Sequence, residues 1–229
     1  MEKAFINWSG GKDCTMALHE ILEQKKYSVE FLFTTLSRQF QRVSMHGVRK
    51  ELITRQALAL GIHSRKLYLP EQTSMNVYDQ FMANEMVLMK ERGIHHSIFG
   101  DIFLEDLRKY REEKLKSSSI QAHFPLWKKD TRELLKRFLG LGYKTTIVSI
   151  DKRKLDEKFL GRDLDESFLN ELPSDVDPCG ENGEFHTFVY DGPIFKEQVK
   201  MQKGEIVKKN YTHDGNNFEY AFLDLIPLT

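Results

Sequence analysis

Short apolar runs alternate with helix-patterned segments through the first two-thirds of the chain, and this alternation constrains the fold more than any other feature. Residues 3–8 read as a strand and 13–24 as a helix, in which Cys14, Ala17, Leu18, Ile21 and Leu22 share one face at helical spacing. The rhythm continues with strand 29–36, helix 47–60, strand 66–69, helix 76–92 and strand 97–100. Helix 104–116, strand 120–124, helix 131–139 and strand 144–150 complete it. Such an order implies an α/β fold, a parallel sheet with helices on both faces. Sheets of this kind bind ligands beyond the carboxyl ends of their strands, which singles out the loops after Trp8, Leu36, Gly100 and Phe124. The rhythm breaks near Asp151, where a charged helical stretch (154–172), Pro173, a turn-rich segment and β-type patterns follow. The simplest division is a first domain over 1–150 and a small α+β domain over 151–229, whose loops close over the strand ends of the first.

The strongest local signal is Ser9-Gly10-Gly11-Lys12-Asp13-Cys14 between the first strand and its helix. Adjacent glycines let the backbone turn sharply and approach a ligand with no side chain in the way. The helix that follows offers unpaired N–H groups and a positive dipole end, which suit an anion. Ser9 adds a hydroxyl donor and Lys12 a charge, while Asp13 is placed to cap the helix or to hold a magnesium ion through water. The loop lacks the Walker A spacing. Cys14 lies on the apolar face of its helix and reads first as a core residue.

The bulk numbers exclude some partners. With 34 basic and 34 acidic residues there is no polyelectrolyte bias toward nucleic acid. Apolar runs fall far short of a membrane span of about 20 residues. Two isolated cysteines, Cys14 and Cys179, suit a reducing, cytoplasmic setting better than a disulfide or zinc framework.

Six segments occur in an order that resembles the diphthine–ammonia ligase branch of the PP-loop superfamily. They are Ser9 to Cys14, Met45-His46-Gly47-Val48-Arg49, Gly100-Asp101-Ile102, Pro125-Leu126-Trp127, Leu160-Gly161-Arg162 and the run from Cys179-Gly180 to Thr187. The resemblance implies an adenine-nucleotide α-hydrolase-like domain with a small C-terminal domain. It also implies a reaction in which ATP adenylates a carboxylate, AMP and pyrophosphate leave, and ammonia forms an amide. Ser9, Gly10, Gly11 and Lys12 would then hold the phosphates with magnesium, and Asp13, Cys14, His46, Gly100 and Asp101 would line the nucleotide site. Glu105, Arg108 and Arg111, at helical spacing, are candidates for anionic substrate groups, or else a solvated charged face. Glu181, Asn182, Gly183 and Thr187 are candidates for substrate contact. Glu184 and His186, alternating in a strand and so pointing to one side, are candidates for binding an amine or moving a proton. In place of the Glu-Gly-Gly-Glu-Phe/Tyr-Glu-Thr motif of archaeal and eukaryotic members this chain has Glu181-Asn182-Gly183-Glu184-Phe185-His186-Thr187, which resembles a bacterial branch. The acceptor, a small-molecule or protein-borne carboxylate, stays open, as does assembly into a homodimer. Two other readings compete: a PP-loop enzyme that thiolates or aminates an RNA base, and a nucleotide-binding sensor without turnover.

Overall fold

Period-two alternation in the first strands sends side chains to two different cores, and this sets the layer order. The computed structural model describes residues 1–70, 74–213 and 216–228. Strands β1 (Glu2–Asn7), β2 (Tyr27–Ser37), β4 (His63–Leu69), β5 (His96–Ile98) and β6 (Gln121–His123) run parallel in the order β4-β2-β1-β5-β6. Ala4 and Ile6 of β1 and Leu32 and Leu36 of β2 enter one core with helices α1 (Lys12–Gln24) and α2 (Lys50–Leu60). Phe5 and Phe33 enter the opposite core with α3 (Met75–Glu91) and α4 (Glu105–Lys116). Helices therefore cover both faces, as the alternation requires. The chain reverses direction across the sheet between β1 and β5, so the crevice between their carboxyl ends is the switch point where ligands bind.

Four expectations change. A two-residue strand β3 (Arg42–Val43) pairs antiparallel with Leu36 and Ser37, too short for periodicity to reveal. Helix α2 begins at Lys50 rather than at Gly47, because Gly47 is left-handed (φ 69°) and Arg49 is extended. Strand β7 (Lys144–Asp151) does not continue the parallel sheet. It follows α5 (Thr131–Gly140) and joins an antiparallel sheet of order β8-β7-β10-β9, with β8 (Phe185–Asp191), β9 (Met201–His213) and β10 (Asn216–Pro227). Its buried, β-branched sequence suits a covered strand in either sheet, so the pattern cannot assign the partner. The charged stretch 154–172 is also broken. A 3-10 turn (Glu157–Phe159) and α6 (Glu166–Glu171) flank Gly161, whose φ of 78° ends helical geometry.

The second sheet is clamped to the first by one carboxylate. Asp224 accepts from Arg49 Nε and Nη2 at 2.9 and 2.5 Å and from Arg42 Nη1 at 2.7 Å. Burial pushes the Asp224 carboxyl up, but these guanidinium hydrogen bonds outweigh it and hold it at about 2. A folded-state value below the unfolded one, about 3.9, contributes stability that is present above pH ~4 and lost as pH falls through about 2. The contribution is on the order of 2–3 kcal/mol. Denaturant titrations at pH 6 and pH 2.5 are therefore expected to show Asp224→Asn less stable than the parent at pH 6 by about that amount, with most of the gap gone at the lower pH. An equal gap at both values would contradict this.

Candidate active site

The turn from β1 into α1 is built by packing from three directions. Gly10 is left-handed (φ 85°), and a Cβ there would lie 2.7 Å from Gln56 Oε1. A Cβ on Gly11 would lie 3.1 Å from both His46 Nε2 and the Thr187 carbonyl oxygen. Strand β8 of the second sheet lies along the loop: Val189 N donates to Gly10 O at 2.9 Å and Lys12 N to Thr187 Oγ1 at 3.0 Å. Inside the loop, Gly11 N donates to Ser9 Oγ at 3.4 Å, and Gly11 O accepts from Thr15 Oγ1 at 2.8 Å and Cys14 Sγ at 3.1 Å. Cys14 is buried, and burial pushes its thiol up, so it packs as a neutral group, as its place on the apolar face implies.

Gln56 is the residue that periodicity missed. It is fully buried on the apolar face of α2, accepts from Trp8 Nε1 at 3.0 Å, and donates to Gly10 O at 3.0 Å and Val189 O at 2.5 Å. One amide thus ties β1, the loop and β8 together. Its sequence signal is a polar residue on the face shared by Leu52, Ile53, Ala57 and Leu60. Gln56→Leu strands the Trp8 indole N–H, at about 1–3 kcal/mol for a group left unsatisfied, and takes one hydrogen bond each from Val189 O and from Gly10 O, which keeps its bond from Val189 N. Thermal unfolding should show a clear loss of stability with Gln56→Leu, and Gln56→Glu should not restore it, since a carboxylate cannot donate to Gly10.

Lys12 is buried with its ammonium 2.8 Å from both Asp13 oxygens, and it also donates to the Cys179 carbonyl. Burial works against the charge, but Asp13 and the acidic groups around it outweigh that and push the lysine above its ordinary value. Burial likewise pushes Asp13 up, against the pull of Lys12. Cys179 is buried, donates to Thr131 O at 3.3 Å, and has its thiol pushed up by burial, so it is not an activated nucleophile.

The turn that carries Cys179 is organised by Asp177, whose Oδ1 accepts from Cys179 N at 2.9 Å and Glu181 N at 3.1 Å. Glu181 reaches back to the first domain and accepts from Ile102 N at 2.7 Å, beside Gly100 and Asp101. Burial pushes its carboxyl up to about 7, against that backbone hydrogen bond, so it changes charge near neutrality. Gly100 lies at the switch point, and a Cβ there would meet the Asp13–Cys14 peptide at 2.8–3.0 Å.

The rings of His46 and His186 stack at 4.4 Å. Burial, and then the Lys12 charge, hold His186 down at about 4. Burial, His186 and Lys12 hold His46 well below its usual value. His46 Nδ1 and His186 Nε2 are buried without a hydrogen-bond partner. His46 turns its Nε2 toward the Gly11 position and His186 feels the Lys12 charge, so the two rings flank the loop; unpaired buried polar atoms are costly, and a ligand bound there that gave them partners would be favoured. A resident metal fits less well. Among the described residues no group of three or more His, Cys, Asp and Glu side chains could hold an ion, and Asp13 is engaged by Lys12.

A diphthamide synthase N-terminal domain model matches residues 2–121, and a diphthamide synthase C-terminal domain model matches residues 130–217. The chain belongs to the diphthamide synthase family. It is 28% identical to the diphthine–ammonia ligase of Bos taurus over 96% of this chain and 89% of that protein. It is also 28% identical to the one of Homo sapiens, over 75% and 68%, and 25% identical to that of Danio rerio, over 87% and 86%.

Within this diphthamide synthase fold the expected site residues separate into those that meet and those that do not. Ser9, Gly10, Gly11, Lys12, Asp13, Cys14, His46, Gly100, Glu181, His186 and Thr187 converge around the start of α1. Glu184 and His186 do not pair. Glu184 is buried, its Oε1 accepting from Asn182 Nδ2 at 3.1 Å and Asp177 N at 3.3 Å, while its Oε2 has no partner. His186 stacks on His46 instead, an imidazole contributed from 140 residues earlier that strand alternation could not foresee. Asn182 otherwise lies exposed beside Gly183, its carbonyl accepting from Lys154 at 2.7 Å. The trio on α4 is dispersed. Glu105 pairs with Lys128 at 3.2 Å, and Arg108 with Glu112 at 2.8 Å while lying over the Trp127 ring. Arg111 donates to Asp101 at 3.1 Å. Helical spacing put these three near one another, but tertiary partners on other elements claimed each. Among the described residues no helix is long and apolar enough to cross a membrane.

Proposed function

We propose that this chain is an ATP-dependent ligase that converts a carboxylate into an amide with ammonia, releasing AMP and pyrophosphate. The observation that carries the reading is the buried, unpartnered pair His46 Nδ1 and His186 Nε2 against a glycine loop whose lysine is held charged. A carboxylate resists ammonia until one of its oxygens is made a leaving group, and transfer of AMP does this. The protein's task is then to position reactants and stabilise phosphate charge. Ser9, Gly10, Gly11 and Lys12 hold the β- and γ-phosphates, and the histidine pair receives the phosphate charge on the side of β2. As anionic phosphate arrives, the penalty that keeps both rings neutral falls, and they become donors or cations. Magnesium entering with the nucleotide would neutralise phosphate charge, and Asp13 is the residue that would hold it. The unpartnered Oε2 of Glu184 suits an ammonium ion and its deprotonation. The histidine at 186, where archaeal and eukaryotic members carry an acid, supports a reading in which the chain comes from a bacterial branch and has its own acceptor.

The test is nitrogen incorporation. Protein incubated with magnesium, ATP, ¹⁵N-ammonium and fractionated cell extract should yield a ¹⁵N-amide by mass spectrometry, absent with Lys12→Met. AMP formed at the same rate without ammonium, and no labelled amide, would sink the ligase reading.

A further inference from the structure

A cavity of about 190 Å³ opens between α3 and α4 on the β5 side of the switch point, away from the histidine pair. Its floor is apolar: Met82, Met86, Phe99 and Leu115. Its mouth is polar, with Tyr78, Asp79, Lys114 and Arg111. The acid there is already matched, because Asp79 accepts from Tyr110 at 2.6 Å and Lys114 at 2.5 Å, and these bonds hold its carboxyl down. Arg111 is matched on one edge only. Its guanidinium lies over the Phe99 ring at 4.5 Å and forks onto Asp101, with Nη2 3.1 Å from Oδ1 and Nε 3.0 Å from Oδ2. Among the described residues its Nη1 has no protein partner. A guanidinium with spare in-plane donors, stacked on an aromatic floor, is built to receive a second carboxylate.

The same short segment joins the cavity to the nucleotide loop. Phe99 forms the floor, Gly100 abuts the Asp13–Cys14 peptide, and Asp101 contacts Arg111. A carboxylate on Arg111 is therefore held by the loop that also touches the phosphate-binding turn, on the side opposite His46 and His186. The volume suits a ring or branched alkyl group, since a dry cavity of roughly 150 Å³ already admits benzene.

We propose that this cavity is the acceptor subsite, taking the apolar body of a small amphipathic carboxylic acid whose carboxylate lies on Arg111. The proposal deepens the ligase reading and rests on it for the word acceptor. Its test needs no turnover. In protein carrying ¹³C-methyl methionine, titration with 3-phenylpropanoate should shift the Met82 and Met86 methyl signals saturably. The neutral 3-phenylpropanamide should bind at least about tenfold more weakly. Arg111→Gln should bring the acid down to the level of the amide, and Ala83→Phe, which fills the cavity from an exposed lining position, should abolish both. The acid–amide comparison uses the unaltered chain, so it does not depend on any variant folding. No shift at Met82 and Met86, or equal binding of acid and amide, overturns the proposal. Binding of magnesium-ATP, followed separately by ³¹P NMR, distinguishes the two failures. If ATP does not bind while the methionine shifts persist, the ligase reading falls and the carboxylate site stands.

Discussion

Lys12→Met is expected to reduce AMP formation by on the order of 10²–10³-fold or more, the usual consequence of removing one preorganised group that stabilises transferring phosphate charge. The ammonium is buried and kept protonated beside Asp13, so its charge becomes available to a phosphate once it turns from that carboxylate. The variant also leaves Asp13 among acidic neighbours with no cation, which lowers stability. That confounding effect can be separated. Asp13→Asn in the same chain removes the orphaned charge, so the double variant should regain thermal stability while AMP formation stays low. Recovery of activity together with stability would show that Lys12 acts only by neutralising Asp13.

Gly100→Ala should have the second-largest effect, although it adds a single methyl group. The three nearest neighbours of that methyl are backbone atoms of the first turn of α1: Asp13 C at 2.8 Å, Cys14 N at 2.9 Å and Asp13 O at 3.0 Å. A flexible side chain could swing away, but a helix start cannot. Overpacking of this kind costs typically 1–3 kcal/mol, and a displacement of about 1 Å at the phosphate loop lowers the rate roughly 10²-fold. Gly140→Ala is the control. A Cβ there meets nothing within 4 Å and the position is helical, so that variant should unfold at or slightly above the parent temperature and turn over normally. If both variants behave alike, the close approach of β5 to the nucleotide loop is not functional.

What could be read from the sequence follows from the range of the forces involved. The parallel sheet, its helices and the loop at the first crossover were legible because each depends on local periodicity or on glycine geometry within a few residues. The partner of β7 was not, because a strand covered on both faces has the same pattern in either sheet. His46 and His186 were each noticed, but their stacking depends on β8 docking beside α1, a tertiary event. Gln56 looked like an ordinary helix residue, since only the fold shows that its amide faces Trp8, Gly10 and Val189 together. The α4 trio was legible as charged positions but not in its partners. Helical spacing promised a cluster, and Asp101, Trp127 and Lys128 drew its members apart.

The most direct measurement is the identity of the nucleotide product. Purified protein with magnesium, ATP, ammonium and fractionated extract should give AMP and pyrophosphate in equal amounts by ion-exchange chromatography, with both disappearing in Lys12→Met. ADP and inorganic phosphate as the only Lys12-dependent products would mean that the bond broken lies at the γ-phosphate, and would contradict the adenylating ligase.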